Sequence, residues 1–379
     1  MALHLTTLPP EILHRIAESY LDGLESGNNV GSVLSTCSLF RDLFLPKLYS
    51  AICLCSLEQL SQFVSPSSGS HQYCPLYTTQ SIIINIPGVP GGGDGTLFSI
   101  TGDGKELSRN RLLLASRALS LCPRVRSVSL EFFSVRHSEL LTSAQFREAE
   151  ATAFESALNR LSSLETLRWT PPRIEPSAIM GLSIVVVDQV IQPLARGLAG
   201  CQSLRALELW NTMLPDNGGS ELAASLISLA QSRHTSNDAF RVNSDDDDAT
   251  APAITLNMRS VTGLDPKVVS ELAMARPPIK INIADGFIGS IWGPRLDSKS
   301  IEECVRDAMD AARSSTESTP AASSTGSSQS SSPLSTRENS RETTPDPLME
   351  STIRKITDNV TIKVLRGGIA GSRLMSTYA

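Results

Sequence analysis

The sequence predicts an α/β fold of repeated helix–strand units, because short apolar strand patterns recur at a nearly constant spacing after amphipathic helical patterns. Three segments share an apolar residue that is followed by apolar residues three and five positions later. They begin at Val125, Leu164 and Leu204, so their first positions are 39 and 40 residues apart. Strands that alternate with helices in this way form a parallel sheet with right-handed connections.

Weaker units on both sides extend this array over residues 51–312. The helical spacing before the second strand pattern is formed by Phe154, Ala157, Leu158 and Leu161. Flanking strands are predicted at 81–86, 254–258 and 279–283. Capping signals mark three helix starts: Ser56 with Gln59, Asp265 with Pro266, and Ser300 with Glu303. Since a tight leucine-rich repeat has about 20–29 residues, we expect an irregular, leucine-rich-repeat-like α/β solenoid. The alternative is an ordinary α/β domain whose spacing arises by chance.

The first fifty residues predict three short helices that are too small to bury much core of their own. The segment from Leu8 to Glu11 begins a helix, with proline in the first turn and a carboxylate at the positive helix end. The apolar face of this helix consists of Ile12, Leu13, Ile16, Ala17 and Tyr20. Because so small a unit is marginally stable alone, its exposed apolar residues indicate an obligate interface with another protein.

This unit resembles the F-box, the adaptor-binding segment of F-box proteins, and the following array resembles that of fungal members of the family. The matching residues are Leu8, Pro9, Pro10, Glu11, Ile12, Ile16, Leu34, Cys37, Phe40, Leu43, Pro46, Leu48 and Tyr49. Two departures are a longer loop from Asp22 to Gly31 and Phe40 at a position that is often Trp.

The resemblance implies that residues 1–50 form a three-helix F-box that docks on the Skp adaptor of a Skp–cullin–F-box ubiquitin ligase. All the matching residues are then candidate adaptor-binding residues, and cullin is reached through the adaptor. The array would hold a protein substrate of unknown identity. Such a protein is not an enzyme, since it contributes to ubiquitination by placing the substrate close to the catalytic subunit.

A change in composition near Ala312 predicts a disordered Ser/Thr/Pro-rich tail over residues 313–379. Of the 33 residues from 313 to 345, 12 are Ser and 6 are Thr. Such a segment buries too little apolar surface to offset the conformational entropy lost on folding. An alternating pattern, Val360 to Val364, predicts a strand that has no obvious place in the array.

The overall composition disfavours several other classes of protein. The chain of 379 residues has a net charge of −6 and 5% aromatic residues, so neither a basic footprint nor a stacking platform for nucleic acid is expected. No apolar run approaches the ~20 residues of a membrane span, and no signal peptide is recognisable. We therefore expect no nucleic-acid or membrane partner and a location in the cytoplasm or nucleus. Seven scattered cysteines and five histidines predict neither a disulfide framework nor a metal site.

Enzymatic motifs are not recognisable either. The segment from Gly102 to Lys105 lacks the flanking residues of a phosphate-binding loop, since residue 99 is Ser and residue 106 is Glu. No cofactor is therefore expected. Two other functions remain open: a repeat-based interaction scaffold with no role in ubiquitination, and an enzyme that uses a glycine-rich loop.

Overall fold

A computed structural model describes residues 8–23, 31–35, 38–65, 76–86, 111–134, 148–172, 184–238, 254–290, 292–317 and 347–364. The protein is built on one sheet of eight parallel strands, and neighbouring strands in the sheet are consecutive in the chain. The strands are β1 Ala51–Leu54, β2 Ser81–Asn85, β3 Ser127–Glu131, β4 Thr166–Thr170, β5 Ala206–Trp210, β6 Thr255–Leu264, β7 Lys280–Ile288 and β8 Val360–Lys363. The predicted α/β class is therefore confirmed.

The helices that connect the strands pack side by side against one face of the sheet. They are α4 Leu57–Val64, α5 Arg111–Leu121, α6 Glu148–Asn159, α7 Asp188–Leu198, α8 Ser220–Asp238, α9 Pro266–Ala273, α10 Ser298–Glu317 and α11 Pro347–Thr357. Each of these helices contacts the next, so they form a single layer. The core lies between this helix layer and the sheet.

Two rows of apolar side chains on the strands form the sheet side of this core. One row consists of Ile82, Val128, Leu167, Leu207, Leu256, Ile281 and Val360, and the other of Ile84, Leu130, Trp169, Leu209, Met258, Ile283 and Ile362. In β2 to β7 these residues are buried, whereas the alternate residues are mostly half-buried. The period of two in each strand thus places one face against the helices.

The spacing between paired strands is less regular than the three central segments predict. It is 39 residues from Ser127 to Thr166 and 40 from Thr166 to Ala206, as expected. It falls to 25 from Thr255 to Lys280 and rises to 79 from Ile281 to Val360. Insertions of very different length therefore separate neighbouring strands.

Two of the three predicted capping signals are found. The Gln59 amide donates to the Ser56 hydroxyl oxygen at 3.1 Å, and the Lys267 amide donates to the Asp265 carboxylate at 2.9 Å. The third prediction is wrong, because α10 begins at Ser298 and the Ser300 amide donates to the Asp297 carboxylate at 2.8 Å. Aspartate is a strong N-terminal cap, so the earlier residue takes the role predicted for Ser300.

The predicted disordered tail over residues 313–379 is wrong for the two parts of it that the structure describes. Helix α10 continues to Glu317, and residues 347–364 form α11 and β8, which pairs with β7. Met349 and Ile353 are buried in the main core, which offsets the entropy of ordering this segment. Residues 318–346 and 365–379 of the predicted tail lie outside the described ranges.

Three helices precede the sheet: α1 Pro10–Asp22, α2 Gly31–Leu34 and α3 Ser38–Leu48. They join it directly, since β1 begins at Ala51 and the Ser50 carbonyl accepts hydrogen bonds from the Gln80 and Ser81 amides. The Thr78 hydroxyl also donates to the Pro46 carbonyl at 3.2 Å. The helical unit is thus anchored to the first two strands.

Among the described helices, none has the length and apolar character needed to cross a membrane.

Candidate functional site

The first candidate surface is an exposed apolar stripe on α1. Pro10 in the first turn and Glu11 favour the helix start. Leu13 and Ala17 are only 4% and 0% exposed, so they form the inward face of the helix. Ile12, Ile16 and Tyr20 are 43%, 37% and 41% exposed. Because these three residues are four apart, they form one row along the outside of the helix. We call this row the α1 stripe.

The predicted apolar face of α1 is divided between buried and exposed residues. Its five predicted residues lie on one broad face of the helix, but only Leu13 and Ala17, on one side of that face, are buried. The aromatic rings of Tyr20 and Phe44 meet edge-on at 5.8 Å, and those of Phe40 and Phe44 at 6.0 Å. Phe44 is buried between the helices, whereas Leu39 at the start of α3 is exposed. The unit therefore has a small aromatic core and apolar residues on its outside.

The predicted adaptor-binding residues lie in different environments. Pro9, Pro10, Glu11, Ile12 and Ile16 are exposed. Leu8, Leu34, Phe40, Leu43, Pro46, Leu48 and Tyr49 are half-buried, and Cys37 lies outside the described residues. Tyr49 packs against the main core, so part of its surface faces the sheet. Tyr20 and Leu39 are also exposed apolar residues of this unit, although they are not among the predicted adaptor-binding residues.

A solvent-accessible ion pair joins α1 and α3. The Lys47 ammonium donates a hydrogen bond to the Glu18 carboxylate. This hydrogen bond, together with the charge of Lys47, lowers the pKa of Glu18 below its usual range. The pair is solvated, so it orients the two helices more than it stabilises them.

The second candidate surface is the sheet face opposite the helix layer, which we call the outer face. Its middle row of paired residues is Ile83, Ser129, Arg168, Glu208, Asn257, Asn282 and Thr361. The next row contains Trp210, Arg259, Ala284 and Lys363. Because neighbouring strands are about 4.8 Å apart, these side chains touch across the sheet.

Trp210 is the centre of a polar cluster on the outer face. Its indole N–H donates to the Glu208 carboxylate at 2.6 Å, and Glu208 forms an ion pair with Arg168 at 3.4 Å. The guanidinium carbons of Arg168 and Arg259 lie 5.2 Å and 4.6 Å from the ring centroid of Trp210. Both are within the range of cation–π attraction, so the indole ring is held between two arginines.

An open groove of about 350 Å³ lies beside Trp210 on strands β5 to β8. Its lining includes Asn257, Arg259, Asn282 and Lys363. The array was expected to hold a partner, but the sequence alone identified neither this face nor these residues. Groups of three or more His, Cys, Asp or Glu that could hold a metal ion do not occur among the residues that the structure describes.

A search with models of known protein families finds no match for this chain, and a search of curated proteins finds no significant relative.

Proposed function

We propose that the chain is an F-box adaptor that recruits a protein substrate to a Skp–cullin–F-box ubiquitin ligase. In this proposal α1, α2 and α3 form the F-box, and the helix–strand array is an irregular, leucine-rich-repeat-like solenoid that holds the substrate. The protein then acts in the cytoplasm or nucleus and carries out no chemical step itself. The α1 stripe is the observation that carries the proposal.

The stripe supports an interface for an energetic reason. Burying one large apolar side chain contributes about 1.5–3 kcal/mol, and three of them lie in one row. Helix α1 contacts α3 through Tyr20 and Phe44 and through the Glu18–Lys47 ion pair, so the stripe is presented on a supported element. A groove on a partner can therefore bind the row as a helix with anchors four residues apart.

The contacts between the helices and the sheet give the proposal its second support. The C-terminal end of α3 is hydrogen-bonded to the segment that leads into β2, and α1 and α2 pack on α3, so the helical unit is held close to the first two strands. A substrate on the array would then stand at a defined distance from the adaptor. Proximity is the catalytic contribution expected of such a subunit.

The test is binding to a purified Skp adaptor, measured by calorimetry with the intact protein and an Ile12→Ala, Ile16→Ala double variant. Both residues are exposed, so the fold should survive, which circular dichroism checks. We expect binding to weaken at least about 30-fold, since each truncation removes about 1–3 kcal/mol of apolar contact. The matched control is Leu348→Ala, which truncates an apolar side chain that is 73% exposed on α11.

Equal adaptor affinities for the double variant and the intact protein would contradict the proposal. Adaptor binding without cullin-dependent ubiquitination of any captured protein would favour the alternative, a scaffold with no role in ubiquitination.

A further inference from the structure

The groove on the outer face has an unbalanced charge. Its lining consists of Trp210, Asn257, Met258, Arg259, Asn282, Ile283, Ala284, Thr361 and Lys363. Two of these residues are cations and none is a carboxylate. In a chain with a net charge of −6, a groove with only positive charges selects for a negatively charged partner.

The two cations are available to a partner. Within the ranges that the structure describes, neither Arg259 nor Lys363 forms an ion pair. Arg168 differs, since Glu208 neutralises it on the neighbouring strand. The guanidinium carbon of Arg259 lies 4.6 Å from the ring centroid of Trp210, so cation–π attraction restrains this side chain beside the groove. A guanidinium has five N–H donors in a planar fork that matches a carboxylate.

In the row beside the cations, the side-chain amides of Asn257 and Asn282 present hydrogen-bonding groups of both kinds. The Asn282 side-chain N–H donates to the Asn257 side-chain oxygen at 2.7 Å. Asn257 therefore keeps its N–H groups, and Asn282 keeps its carbonyl oxygen. A peptide backbone, which has both donors and acceptors, complements this pair.

We propose that this groove binds an extended acidic segment of a partner protein, whose carboxylates pair with Arg259 and Lys363. This inference rests on the proposed function: if the chain recruits a substrate, the acidic segment is the part of the substrate that it recognises. The outer-face row from Trp210 on β5 to Lys363 on β8 spans three strand spacings, or about 14 Å. That length accommodates about four or five extended residues.

The experiment measures the fluorescence polarisation of a labelled peptide of alternating glutamate and glycine on the full-length protein. We expect saturable binding that weakens with salt, because exposed charges are screened. The matching glutamine–glycine peptide should bind at least about tenfold more weakly. Arg259→Gln and Lys363→Gln should each reduce affinity about fivefold or more, whereas Lys355→Gln on α11 is the control with no expected effect. Lys355 and Lys363 are both exposed, so the comparison does not depend on a change of folding.

Three results would overturn the inference: equal binding of the glutamate and glutamine peptides, unchanged affinity in Lys363→Gln and Arg259→Gln, or tighter binding of a single-stranded oligonucleotide than of the acidic peptide. Adaptor binding is measured on the same samples. Loss of peptide binding with intact adaptor binding refutes only the groove. Peptide binding without adaptor binding refutes only the ubiquitin-ligase function.

Discussion

Replacement of Trp169 by phenylalanine should destabilise the protein far more than the same change at another tryptophan. Trp169 is fully buried on the inner face of β4. Its indole N–H donates to the Phe132 carbonyl at 3.0 Å, and its ring centroid lies 5.6 Å from that of Phe132 and 5.5 Å from that of Phe154. One side chain thus connects β4, the residue after β3 and helix α6.

The expected cost has two parts. Loss of the indole donor leaves the buried Phe132 carbonyl without this partner, which costs about 1–3 kcal/mol. Loss of the second ring leaves a void of roughly 40 Å³, and at about 24 cal/mol per Å³ this adds about 1 kcal/mol. Together Trp169→Phe should reduce the free energy of unfolding by about 2–4 kcal/mol.

The assay is urea unfolding followed by circular dichroism, because the substitution removes a fluorophore. Trp292→Phe makes the same chemical change at a side chain that is 72% exposed, so we expect a change within about 0.5 kcal/mol. If Trp169→Phe proves as mild as Trp292→Phe, the indole does not have the role described here.

Two further predictions concern the thiols and the last strand. Burial raises the pKa of Cys122 to about 11 and that of Cys201 to about 12. At pH 8 their thiolate fractions are then about 10⁻³ and 10⁻⁴, so iodoacetamide should modify Cys53 and Cys55, both exposed, at least about 100-fold faster by mass spectrometry. Similar rates at all four would contradict the packing. Truncation after residue 317 removes α11 and β8 and exposes the edge of β7, so its melting temperature should be about 5 °C or more below that of a truncation after residue 364, which keeps both elements. Equal melting temperatures for the two truncations would show that α11 and β8 do not stabilise the sheet.

The central strands could be predicted from sequence because one side of each is buried. Leu167 and Trp169 in β4, and Leu207 and Leu209 in β5, alternate with half-buried residues, which produces a period of two. Strand β8 shows the same alternation in its sequence, which predicted a strand, but 79 residues separate Val360 from its partner in β7. Pairing over such a distance leaves no local signal, so the place of this strand in the sheet could not be predicted.

The two candidate surfaces also differ in how close in sequence their residues are, and therefore in how well sequence predicts them. The α1 stripe lies within one helix, so its residues are close in sequence and their spacing predicts a shared face. Trp210 and Lys363 are 153 residues apart in sequence, although both line one groove. Polar residues on an outer face follow no obligatory period, because water can replace any of their contacts. Only the strand register brings them together.

A feature of the backbone bears on whether the helix–strand units are true repeats. Asn211, Ser260 and Asp285 all have positive φ, at 50°, 54° and 56°. Each directly follows a residue of one outer-face row, namely Trp210, Arg259 and Ala284, and the three side chains differ. A left-handed conformation costs a non-glycine residue of order 1–2 kcal/mol, so three occurrences at the same register do not arise by chance. The same left-handed backbone conformation therefore recurs at one register position across β5, β6 and β7. This favours a structural repeat, since the backbone geometry recurs where the sequence and the spacing do not.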